Sequence, residues 1–160
     1  MHLHLPVHCA VYSRASLVVM LQNRPGFSSG IFKDLTVNTL HILPSNPDLM
    51  VVTVKGHYAF LVHATGGQLI RTFSTGNEKG GDFLCATLSP QGKWLYCGAE
   101  DGTLYVFDVQ GGALDSKLTI SGDDSKGGGS KQEVIGVSHH PHRNILVTIT
   151  DIGQLRVWRP

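Results

Sequence analysis

Charge is scarce in this chain. Of 160 residues, 13 are Lys or Arg and 12 are Asp or Glu, which is 16% of the total and a net charge of +1. Globular chains usually carry ~25% charged residues. So balanced a chain has no electrostatic footing for wrapping nucleic acid, and it carries no acidic tail. Cysteine is scarce too: Cys9, Cys85 and Cys97 are an odd number and form no CxxC pair. Cys85 and Cys97 sit in apolar runs, where a free thiol behaves as a small hydrophobe. The expectation is a reduced, intracellular protein. No apolar run approaches the ~18 residues that cross a bilayer, so no membrane contact is expected. The first ten residues lack a positive region ahead of an apolar stretch, so they do not read as a secretory signal. The length suits one domain and excludes a multi-domain enzyme.

Glycine is abundant, with 19 residues, and 41% of the chain is apolar. That mixture fits short strands joined by tight turns. A helical bundle would need more Ala, Glu, Lys and Leu, and a disordered chain would have fewer aliphatic residues.

The chain repeats itself. Phe83-Leu-Cys-Ala-Thr-Leu-Ser-Pro90 and Val134-Ile-Gly-Val-Ser-His-His-Pro141 are both alternating stretches ending in a proline turn. A second apolar stretch follows each. Then come Asp101-Gly-Thr-Leu-Tyr-Val-Phe107 and Asp151-Ile-Gly-Gln-Leu-Arg-Val-Trp158, each a turn leading into alternation that ends in an aromatic. The interval from Pro90 to Phe107 equals that from Pro141 to Trp158. A looser copy runs through Thr39–Pro44, Met50–Val54 and Ala59–Val62. Leu69–Phe73 and Leu114–Leu118 supply fourth strands after the paired glycines Gly66-Gly67 and Gly111-Gly112.

A unit of about 40–45 residues with four short strands is the mark of a WD-repeat propeller blade. The expected fold is all-β, with about three WD40-type blades at 34–78, 79–120 and 131–160. Low-complexity residues 121–131 form a flexible insertion between the last two. Closed propellers need about four to eight blades, so three make an incomplete, open arc. Its bare ends should self-associate or aggregate. Residues 1–33 are unassigned. Leu17–Leu21 reads either as one strand or, preferably, as part of unrelated sequence from an alternative start or a mistaken gene model.

The repeat positions have a chemistry. A turn Asp accepts bonds from nearby backbone N–H groups, and Gly supplies φ > 0. Asp101-Gly102 suits a two-residue hairpin turn, and Asp151-Ile152-Gly153 is one residue longer. Phe107-Asp108 stands where a Trp-Asp pair belongs, whereas Trp158 keeps the aromatic and Arg159 replaces the acid. No Gly-His precedes Phe83 or Val134. The side-chain network it would anchor is therefore expected to be missing, leaving cohesion to apolar packing between sheets.

Three stretches resemble splicing proteins of the Smu-one type: Ser74–Cys97, Glu133–Asn144 with its His-His-Pro-His, and the final Leu155-Arg-Val-Trp-Arg-Pro160. Leu35–Pro47 resembles the blade before. The likeness covers about residues 34–160 and includes loops as well as strands. It implies a normally seven-bladed propeller, here incomplete, in a nuclear protein of the precatalytic spliceosome, working with a partner called RED. In that family the partner's site is ascribed to an N-terminal helical region, so it is not carried onto any residue here.

Other chemistries are weakly supported. His139-His140-Pro141-His142 occupies a strand end and a turn, where imidazoles do not converge as zinc requires. His2, His4 and His8 alternate but lack a fourth ligand. Gly76, Gly80 and Gly81 lack the GK[ST] ending of a phosphate loop, as do Gly127–Gly129. Ser89 and His140 hold the same slot in different units, with no nucleophile elbow. Arg14, Arg24, Lys33 and Arg71 are scattered, so no direct nucleic-acid binding is expected. The expectation is a non-enzymatic interaction scaffold without cofactors. Its partner-facing loops are Asn77, Glu78 and Lys79, and His140, His142 and Arg143. The alternatives are a generic adaptor in ubiquitin ligation or trafficking, a truncated gene product and, least favoured, a metal-dependent propeller hydrolase.

Overall fold

A computed structural model of the chain describes residues 35–76, 81–120 and 132–159. The segment 1–33, the loop residues Asn77, Glu78 and Lys79, and the insertion 121–131 lie outside the described residues.

The described residues form strands and turns only. The first sheet is an antiparallel meander of β1 (Val37–Leu43), β2 (Asn46–Val54), β3 (Tyr58–His63) and β4 (Leu69–Ser74). The second repeats it with β5 (Phe83–Leu88), β6 (Trp94–Ala99), β7 (Thr103–Asp108) and β8 (Leu114–Thr119). The third contains β9 (Val134–His139), β10 (Leu146–Thr150) and β11 (Leu155–Trp158). The β-branched run Val51-Val52-Thr53-Val54 is buried throughout, because β2 has a packed face on each side. In the first unit a register shift at Ile42/Leu43 brings Leu43 opposite Asn46.

The sheets stack face to face, with β1 adjoining β5 and β5 adjoining β9. Between the first two lie Val51, Leu61 and Phe73 from one side, and Phe83, Leu95, Cys97, Tyr105 and Phe107 from the other. Phe107 meets Phe73 at 5.8 Å between ring centroids and Phe83 at 6.1 Å. Between the second and third lie Cys85, Leu104 and Ile120 against Val134 and Leu146. Burying one such phenylalanine is worth about 1.5–3 kcal/mol, against about 0.5–1.5 kcal/mol net for one hydrogen bond. Apolar contact therefore dominates cohesion.

The turns correct one expectation. The β6–β7 loop has three residues, not two: Gly102 N–H donates to Ala99 C=O at 3.2 Å, with Gly102 at φ 75°. This is a hairpin closed by a left-handed glycine. The β10–β11 turn has the same geometry, with Gly153 N–H donating to Thr150 C=O at 2.9 Å. Asp151 thus stands at the position of Glu100 rather than that of Asp101. A repeated backbone bond fixes this alignment. Lys55 donates to Thr36, Glu100 to Asp82 and Asp151 to Glu133, at 2.7, 3.0 and 3.0 Å.

None of the sheets closes on itself, and together they form an open arc. The third sheet has three strands where the others have four.

Candidate functional site

The structure divides the expected repeat residues between cores and turns. Phe107 is fully buried between the first and second sheets. Asp108 accepts a short bond from Gly111 N–H and so closes the β7–β8 turn. Asp101 accepts from Thr103 N–H at 3.0 Å and from the Tyr105 hydroxyl at 2.6 Å. Asp151 instead accepts from Glu133 N–H at 3.0 Å, tying the β10–β11 turn to the start of β9. Trp158 Nε1 donates to the buried Thr148 hydroxyl at 3.0 Å.

Of the two expected partner loops, Asn77, Glu78 and Lys79 lie outside the described residues, and His140, His142 and Arg143 lie within them. Ser74 and Phe83, which flank the loop containing Asn77–Lys79, lie where β3 and β5 begin. His140–Asn144 leave the other end, after β9, beside the Ser89–Lys93 turn that follows β5. Those two turns frame a groove of about 490 Å³ between the second and third sheets. Its floor is Trp94 and Tyr96, which alternation in β6 places on one face while Leu95 is buried on the other. Its rims are Pro90 and Pro141, and Lys93, His139, His142 and Arg143 bring the charge and imidazole.

His140 faces a different task. Its Nδ1 accepts from His142 N–H at 3.0 Å and Arg143 N–H at 3.1 Å, so it caps its own turn. Ser89 holds the equivalent turn, its hydroxyl accepting from Trp94 N–H at 3.0 Å. The backbones match as well: Ser89 N–H reaches Trp94 C=O and His140 N–H reaches Ile145 C=O. His140 thus anchors a loop whose His142 and Arg143 line the groove.

Neither of the two described cysteines is an activated nucleophile. Burial pushes the Cys85 thiol up to about 12, and Cys97 is likewise raised by burial and by Cys85 beside it. Both stay as thiols at neutral pH. Cys85 donates weakly to Val134 C=O at 3.2 Å. Burial, reinforced by Asp101, pushes the Tyr105 hydroxyl up to about 12 and keeps it a donor. Among the described residues, no group of three or more His, Cys, Asp or Glu could hold a metal ion.

A related groove of about 460 Å³ lies one repeat earlier, between the first and second sheets. Arg71 of β4 lines it and donates to the backbone carbonyls of Val109, at 2.8 Å, and Gln110.

The WD domain, G-beta repeat family matches residues 67–108, from the turn before β4 through β7. Beyond that, the chain is 33% identical over 127 residues to the WD40 repeat-containing protein smu1 of Dictyostelium discoideum. The chain is a WD40-repeat protein, and its repeats resemble those of smu1. The alignment covers 79% of this chain and 22% of that protein, so the WD40 chain spans about a fifth of its relative's length. Two solved structures share the fold. The RRP9 WD40 repeats superpose with TM-score 0.64 at 16% identity, covering 78% of this chain and 36% of theirs. The WD40 β-propeller of Doa1 gives 0.63 at 15% identity with the same coverage. At such identities the likeness concerns fold alone.

Within these WD40 blades, residue patterns alone did not single out Lys93, Trp94 and Tyr96. The signal was present, since Trp94 and Tyr96 alternate with the apolar Leu95. Only the third blade, laid against β6, shows that this face borders a groove.

Proposed function

We propose that this WD40 chain is a non-enzymatic protein-interaction scaffold that acts in the nucleus, in pre-mRNA splicing. The observation that carries the reading is the identity to smu1, which extends over 127 residues and hence over more than one blade. The residue-level resemblance to the Smu-one type splicing proteins includes the loops Ser74–Asp82 and His139–Asn144, not only the strand pattern. WD40 propellers as a class present rigid loops and grooves to other proteins, and the groove floored by Trp94 and Tyr96 is such a surface.

The test is affinity capture with the tagged full chain from nuclear extract, read by quantitative mass spectrometry. Spliceosomal proteins, including a RED-type partner held directly or through a larger assembly, are the expected set. Capture of ubiquitin-ligase or trafficking components instead would transfer the chain to a general adaptor role. Finding no spliceosomal protein would overturn the splicing assignment.

A further inference from the structure

We propose that the groove between the second and third blades docks an acidic, partly apolar peptide segment of a partner protein. This rests on the scaffold reading above and names the chemistry of one of its partners.

The first argument is charge. The groove is lined by Lys93, Arg143, His139 and His142, with no carboxylate among its lining residues. In a chain whose net charge is +1, that segregation is local and distinctive. Lys93 and Arg143 are both exposed and stand on opposite walls, one on each blade. An extended peptide lying between them meets a cation on either side. Arginine adds a planar fork suited to a carboxylate.

The second argument is the floor. Trp94 and Tyr96 are half-buried, with Pro90 and Pro141 at the rims. A volume of about 490 Å³ is within the usual range of ligand clefts and takes a few peptide residues. Rigid aromatic and proline surfaces favour an apolar side chain beside the acidic ones.

The same ingredients, aromatics and cations, also serve single-stranded RNA. The geometry favours the peptide. Lys93 Nζ lies over the Trp94 ring at 5.0 Å, and His139 packs on Tyr96 at 5.6 Å between centroids. Each ring therefore already has an engaged face. Two permanent cations in one cleft do not make a track for a phosphate backbone.

Fluorescence anisotropy on the full chain tests the assignment with three probes. They are a short Glu-rich peptide with a central Phe-Leu pair, the same peptide with every Glu replaced by Gln, and an oligouridine RNA. The acidic peptide is expected to bind at least about tenfold tighter than the Gln peptide and to weaken as salt rises. The double variant Lys93→Glu, Arg143→Glu is expected to lose about tenfold or more while melting like the parent, since both side chains are exposed. Equal binding of the Glu and Gln peptides, an unchanged double variant, preference for the RNA, or no binding of any probe overturns the proposal. Nuclear-extract capture with the double variant separates this failure from failure of the scaffold role. Undiminished capture removes the groove and leaves the scaffold, whereas a parent chain that captures nothing removes the scaffold itself.

Discussion

A Cβ on Gly98 would stand 2.6 Å from Cys85 Sγ and 2.6 Å from Val134 Cγ1. Both atoms belong to buried side chains in the contact between the second and third sheets, so neither can swing away into solvent. Gly98→Ala therefore overpacks that contact and should cost about 1–3 kcal/mol, seen as a lower melting temperature. Gly153 supplies the control for crowding, because a Cβ there meets nothing within 4 Å. Its φ of 80° leaves only backbone strain, about 1–2 kcal/mol for Gly153→Ala. An unchanged melting temperature for Gly98→Ala would show that the sheets can part at no cost. The sequence reading assigned the abundant glycines to tight turns, which holds for Gly92, Gly102, Gly112 and Gly153. It does not hold for Gly98. Alternation along β6 reveals which face a residue takes, but not what the neighbouring blade places against it.

At the scale of the strand, His41 on β1 is largely enclosed beside β5. Its Nε2 is buried without a hydrogen-bond partner. Burial lowers its affinity for a proton below the ordinary value of 6.5, and the Ala86 backbone offsets only part of that. The unfolded chain then binds the proton more tightly than the folded one. The stability that depends on neutral His41 is complete above about pH 6.5 and is lost as pH falls from there through the lower folded value. Melting curves at pH 7.5, 6.5 and 5.5 should show this decline, and His41→Leu should flatten it. A variant that declines as steeply as the parent would place the acid sensitivity elsewhere. Elements themselves were the most legible part of the sequence. Proline turns and alternation located the inner strands, and the paired glycines located β4 and β8. The turn at Asp101 was less legible, because Asp-Gly fits both two-residue and three-residue hairpins. Its length is decided by which strand residues pair, and that is a property of two strands rather than one.

At the scale of the molecule, the matched spacing of Pro90 and Pro141 was enough to count blades, because each blade repeats the same chain path. The groove was not countable in this way, since it exists only where two blades meet. The open end follows from the same repeat logic. Leu104 and Leu155 hold equivalent positions, as do Val106 and Val157. Leu104 is 0% exposed because the third sheet covers it, whereas Leu155 is 60% exposed and Val157 50%. Ile149 pairs with Leu155 and Val147 with Val157, so the apolar side chains form one patch on the face turned away from the second sheet. Trp158 and Leu146 point the other way, into the core. Among the described residues, β11 also has no strand on its outer edge. A sheet face built to receive another blade, next to an unpaired strand edge, is a surface on which copies of the chain can meet. Size-exclusion chromatography with light scattering should show a mass that rises with concentration. Leu155→Lys with Val157→Glu should return it to the monomer without lowering the melting temperature, since both side chains are already in water. A parent chain that stays monomeric at every concentration would mean that this face is not sticky enough to hold a second copy.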